Sequence, residues 1–167
     1  MITAQYCRTM AQYNQWQNNG LRSVIKVMED DALRLDRGAF FNSIFETLNH
    51  LLWGDMLWMS RFDGGDGPSV DAKDHTRLTS NISEWDRQRF LTDGRIVEWA
   101  KGVKSIDLSG DLTWYSGMAK KEMSEPKALC ITHFFNHQTH HRGQIHAMVT
   151  AAGHTLPDTD LAFMSDR

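Results

Sequence analysis

Residues 134–144 read Phe134-Phe135-Asn136-His137-Gln138-Thr139-His140-His141-Arg142-Gly143-Gln144. They lie inside a longer stretch of helical periodicity, from about residue 125 to 152. Ser124 stands where a cap is needed, Pro126 suits a first turn, and Gly153 suits the left-handed position after a helix end. On that helix His137 and His141 share one face, one turn apart, with Cβ atoms about 5–6 Å from each other. Both imidazoles can then reach a single ion, an arrangement that supplies half of many zinc sites.

Three further segments carry helical periodicity. The first spans about residues 3–29, with Leu21, Val24, Ile25 and Met28 on one stripe that Tyr6, Met10 and Tyr13 extend. The second spans about 38–62, capped by Asp36 and stopped by Gly64-Gly65. The third spans about 82–104, where Asn81 and Glu84 resemble a capping box and Trp85, Ile96, Trp99 and Val103 mark a face. Asp63-Gly64-Gly65-Asp66-Gly67-Pro68 reads as a surface connection and the best candidate for a mobile loop. Asp111-Leu112-Thr113-Trp114-Tyr115 alternates and is rich in β-formers, so a short hairpin is expected near residues 111–123, pairing with about 119–123. The tail after Pro157 reads as irregular. Four long amphipathic helices and little strand predict an all-α four-helix bundle, and the long connections leave room for a non-standard helix order.

Length and composition agree. The chain has 167 residues, 41% hydrophobic and 23% charged, which fits one domain over residues 1–167 with an ordinary core. A net charge of -3 without a polybasic run argues against a nucleic-acid or membrane-surface partner. No apolar run approaches a membrane span and no signal peptide opens the chain, so a cytoplasmic location is expected. Cys7 and Cys130 are too few for a disulfide framework and read as buried thiols.

The third ligand has to come from elsewhere. His50 sits amid apolar residues, Leu48-Asn49-His50-Leu51-Leu52-Trp53, on a face shared with Ser43, Glu46, Trp53, Gly54 and Leu57. A buried imidazole costs free energy unless its nitrogens are paired, and a metal is one way to pair them. Spacing alone leaves a second reading open, in which His50 is a hydrogen-bonded core histidine and His137 and His141 are merely a helix pair. Among the other histidines, His140 lies about 60° from His137 on the edge of the same face. His133, one turn before His137, is a candidate fourth ligand or supporting donor. His146 points to the opposite side, and His75 and His154 read as solvated loop residues. Cys130 falls on the His137 face two turns earlier, where packing suffices to explain it.

At these residues the chain resembles the DinB/YfiT-like family of metal-dependent enzymes, which carries a similar Asn-His-x-x-His-His-Arg-Gly-Gln run on its ligand helix. Ser43-Ile44 with Thr47 to Asp55, Tyr13-Asn14-Gln15-Trp16-Gln17-Asn18, and Leu156 to Leu161 match in order, so the resemblance spans nearly the whole chain. It implies an up-down-down-up four-helix bundle with one metal held by His50, His137 and His141. It also implies a homodimer.

Three neutral imidazoles leave open coordination positions, the mark of a reactive rather than a structural site. Imidazole suits several transition metals, with Zn or Ni the working expectation. The resemblance offers hydrolase-like chemistry, or transfer of a low-molecular-weight thiol to an electrophilic small molecule. Glu46 is a candidate base and Arg142 a candidate for binding a substrate carboxylate, each with a blander structural explanation. Gln144 shares the His137 face, Trp53 is placed to wall the site, and Asp55 lies too far round the helix for a direct metal role. The competing expectation is a non-enzymatic, metal-binding dimeric module.

Overall fold

The computed structural model describes residues 2–164. Its long helices are α1 (Ala4–Ile25), α3 (Ile44–Asp63), α4 (Ile82–Gly102) and α5 (Lys127–Ala151), with a short α2 (Asp30–Arg34) after the first. A hairpin of β1 (Asp111–Ser116) and β2 (Lys121–Pro126) precedes α5, and 3-10 turns cover Ala72–Arg77, Ser105–Leu108 and Leu161–Phe163. Among the described residues no helix is long and apolar enough to cross a membrane.

The helix ends follow their capping chemistry. The Thr3, Ser43 and Asn81 side chains accept from the N–H three residues on, at Tyr6, Glu46 and Glu84. Gly64 (φ 72°) ends α3 in the left-handed conformation.

Two expected caps do not act as such. The second helix starts at Ile44 rather than near residue 38, and Asp36 instead accepts from the Gly38 N–H within the preceding loop. The nearer cap wins because Ser43 reaches the Glu46 N–H directly. Ser124 does not cap α5, because it lies in β2 opposite Thr113 and the two hydroxyls bond across the hairpin. The hairpin itself forms where expected, with its second strand beginning at Lys121 rather than near 119.

Side-chain pairs fix the helix directions. Asn18 with Asp93 and Arg22 with Asp86 run α1 and α4 antiparallel. The Trp85 indole donating to Leu48 O and the Arg95–Asp63 pair make α3 and α4 parallel. His50 with His141 and Phe62 with Phe134 make α3 and α5 antiparallel. Tyr6 with Phe135 and Asn14 with Arg142 make α1 and α5 parallel. The order is therefore up-down-down-up. Parallel α3 and α4 oblige residues 64–81 to travel back along the bundle, which carries the 3-10 turn Ala72–Arg77 past the side of α3.

The interior has two apolar ends and a polar middle. One cluster holds Leu21, Ile25, Leu48, Leu52, Trp85 and Ile145; the other holds Cys7, Met59, Ile96, Ile131, Phe134 and Phe135. Between them Asp55, Arg89 and Asp93 are almost fully buried, with Arg89 donating to Asp55 at 2.6 Å and paired with Asp93 at 2.8 Å. Asn14 and Asn18 donate to Asp93, and Gln138 donates to Asp55 at 3.0 Å. Burial pushes both carboxyls up against the pull of Arg89. Burial also opposes the charge on Arg89, but Asp93 and Asp55 together hold its guanidinium above the ordinary value. The layer explains why the expected α1 stripe of Tyr6, Met10 and Tyr13 is only half-buried, since Cys7, Ala11, Asn14 and Asn18 take the inward positions.

Candidate metal centre

The Gln138–Asp55 bond sets the register of α3 against α5, and this register decides what faces His50. Within about one and a half helical turns of that bond, three imidazoles converge. His50 Nε2 lies 3.1 Å from His137 Nε2 and 3.1 Å from His141 Nε2. All three donor atoms fall within 4.8 Å of one another, and they form the only such group of three or more His, Cys, Asp or Glu among the described residues.

Each ring is held by its surroundings. His141 Nδ1 stands 2.7 Å from Gln144 Oε1, so it donates there and leaves Nε2 bare. Gln144 in turn donates from Nε2 to His140 Nε2 at 3.2 Å. His50 Nδ1 meets His75 Nδ1 at 2.9 Å. The Phe41 ring packs over His50, with centroids 4.1 Å apart, and also contacts His75 and His141. His137 fits only because residue 54 is glycine: a Cβ there would stand 2.9 Å from its Cε1. The His137 Nδ1 is buried without a partner.

The three rings fit a metal ion. Two Zn–N bonds of about 2.0–2.1 Å at a tetrahedral angle place their nitrogens about 3.3 Å apart, close to the spacing observed. Bare lone pairs brought this close repel unless a proton or cation lies between them. The rings also carry little proton affinity. Burial, then His141, His137 and His75, pushes His50 down to about 3. Burial, then His141, His133 and His140, pushes His137 down to about 3 as well. Burial lowers His141 against its bond with Gln144. Neutral imidazole is the form a metal takes.

His75 is the residue that sequence reasoning misplaced. Expected in solvent, it lies half-buried against His50 because the 64–81 crossover passes there, and Trp53 secures the passage by donating from its indole to Val70 O at 2.9 Å. Trp53 contacts His75 rather than a ligand ring, at 5.9 Å between centroids. No local signal marked His75; only the long-range path of the crossover brings it in.

The remaining candidates separate from the three rings. The Glu46 carboxylate accepts from the Ser43 hydroxyl at 3.2 Å and is outside the three-His group. Arg142 faces α1, where it donates to Asn14, because it stands about 100° round the helix from His141. His133 meets Trp58 edge to face, with centroids 5.3 Å apart, and is not in the three-His group. Cys130 is buried near Glu125 O and is not in the three-His group. Asp55, as expected, has no place in the group and serves the polar layer.

The comparisons with known proteins agree with this architecture. The model of the DinB family matches residues 1–167. Protein DinB of Bacillus subtilis (strain 168) is 25% identical over 155 residues, covering 89% of this chain and 87% of that protein. A solved structure of YfiT from Bacillus subtilis, described as a probable metal-dependent hydrolase with an unusual four-helix bundle topology, superposes with a TM-score of 0.64. It covers 93% of this chain and 92% of YfiT at 18% identity, a likeness of fold.

Proposed function

The chain belongs to the DinB family, and we propose that it is a metal-dependent enzyme that hydrolyses a small molecule. His50, His137 and His141 hold one divalent transition-metal ion, Zn or Ni, through their Nε2 atoms. The convergence of those three atoms from two antiparallel helices carries the reading. The description of the similar fold of YfiT as a probable metal-dependent hydrolase supports the reaction class.

A divalent ion held there supplies Lewis acidity, making a water or thiol that reaches it more acidic. The chain's own groups set the conditions. His75 and Gln144 orient two ligand rings from behind. Phe41 covers one side of the imidazoles with an apolar ring, which raises the strength of electrostatic interactions beneath it. Three neutral ligands leave the full charge of the ion for the reacting group.

A second reading, transfer of a low-molecular-weight thiol to an electrophile, draws on one observation. The ligand group contains no carboxylate, and Glu46 lies outside it with one oxygen accepting from Ser43, so no general base stands among the ligands themselves. A thiol ionised at the ion needs none.

Untagged protein should carry close to one equivalent of Zn or Ni by elemental analysis. The loaded protein is then screened against simple esters and amides, and against electrophiles with a thiol. Ester or amide turnover that disappears in His50→Ala and His141→Ala supports hydrolysis, and turnover only with thiol supports the second reading. Silence across both panels at full metal occupancy points to a non-enzymatic metal-binding module.

A further inference from the structure

The face of α5 opposite His137 and His141 carries Thr139, Arg142, Gly143 and His146, and it borders a cavity of about 510 Å³. This volume falls within the range of about 300–1,000 Å³ that holds small ligands. Tyr13, Trp16 and Leu21 of α1 form one wall, and residues 156–159 form the roof. The roof is tied down by its backbone. The Tyr13 hydroxyl donates to Thr159 O at 2.5 Å, and Gln17 Nε2 donates to Asp158 O at 3.2 Å. Pro157 packs over Gly20, where an added Cβ would lie 3.1 Å from its Cγ.

A cation lines this largely apolar space. Arg142 is only 9% exposed, and its Nη1 donates to Asn14. The guanidinium has five N–H groups. Those on Nε and Nη2 have no hydrogen-bond partner among the described residues and are not sealed from the cavity. The Tyr13 ring lies 5.8 Å from the guanidinium carbon. Burial pulls the guanidinium down to about 10, against the attraction of Asp55, Tyr13 and Asp93, none of which it hydrogen-bonds, and Arg89 adds a weaker repulsion. The other ionisable groups facing the cavity are His146 and the exposed Asp158 at the roof.

An arginine with free parallel donors in a concave, aromatic-walled space is matched by a carboxylate, which accepts two N–H bonds at once. We propose that this cavity is a second binding site, separate from the three-His centre, for a small carboxylate with an aromatic body. Its carboxylate pairs with Nε and Nη2 of Arg142, and its body lies against Tyr13 and Trp16.

The test is calorimetric titration of the intact protein with 3-phenylpropionate and with its neutral amide. The carboxylate should saturate one site, with the amide at least about tenfold weaker, a factor that corresponds to losing one charge-assisted contact. Gly143→Leu should abolish binding while the protein stays folded, since a Cβ at this helical glycine meets nothing within 4 Å and the longer side chain enters the cavity. Arg142→Lys, which keeps the charge but not the fork, should weaken the carboxylate and not the amide. Binding should persist in His50→Ala, which separates this site from the metal reading. Equal affinity for acid and amide, undiminished binding in Gly143→Leu, loss of binding in His50→Ala, or no binding up to about 10 mM would each overturn the proposal.

Discussion

His50 and His75 meet through like atoms, Nδ1 to Nδ1, at 2.9 Å. One proton serves that contact, so one ring donates and the other accepts. If Nε2 of His50 is to face an ion, its Nδ1 must carry the proton, and His75 must accept. On the proposed reading of the site, His75 is thus a positioning residue that selects the ligand form of His50. Removing it should weaken metal affinity about 10- to 100-fold. Competition against a chromophoric chelator reads the effect in His75→Ala, and His75→Gln, which keeps an acceptor, should recover part of it. Unchanged affinity in His75→Ala would show that the contact is incidental.

Metal removal should cost stability by mass action. At free metal about 100 times Kd the gain is about 2.7 kcal/mol, or about 5–11 °C in Tm for a domain of this size. Chelation should lower the Tm of the wild-type protein by about that amount. The same treatment should leave His141→Ala nearly unmoved.

Gly54→Ala separates the site from the scaffold. Alanine in mid-helix gains about 1 kcal/mol of propensity over glycine. The new Cβ, however, would press on His137 Cε1 at 2.9 Å. Metal affinity should fall at least about tenfold, the lower bound for disturbing a ligand's support, while urea unfolding of the metal-free protein changes far less than for a core defect.

Arg89→Met should be severely destabilising. It leaves Asp55 and Asp93 buried at 0% and 2% exposure with no cation between them. Breaking a buried ion pair from one side costs about 3–5 kcal/mol. The companion variant Asp55→Asn, which keeps a hydrogen-bonding side chain opposite Gln138, should cost less. Urea midpoints in the two variants check the order.

Asp63 gives the pH response. Hydrogen bonds from Arg95 hold its carboxyl below the usual range, helped by the Gly65 N–H and opposed by burial. A depressed folded value means that the contribution is complete above the unfolded value of about 3.9 and fades as pH falls through the folded one. Both side chains are a quarter exposed, so solvent screening limits the pair to roughly 0.2–1 kcal/mol. The stability difference between wild type and Asp63→Asn should therefore be small near neutral pH and vanish in acid. A difference that grows on acidification would contradict this account.

Much of the protein is local and was readable as such. The four long helices, the left-handed stops at Gly64 and Gly153, the Asn81 cap and the hairpin each depend on a few adjacent residues. The pairing of His137 with His141 follows from helix geometry alone, and burial marks His50 as needing partners. What joins them is not local. The meeting of His50 with the pair requires α3 and α5 to pack antiparallel in one register, which Asp55 and Gln138 hold from inside the core. The inward turn of Asn14 and Asn18 has its reason in Asp93, which gives them partners from another helix. His75 reads as a solvated loop residue until the parallel course of α3 and α4 forces the crossover alongside His50. Sequence periodicity reports which face of a helix is apolar, because burial acts on each helix separately. It does not report which polar groups will satisfy one another across helices, because that pairing exists only once the chain has closed on itself.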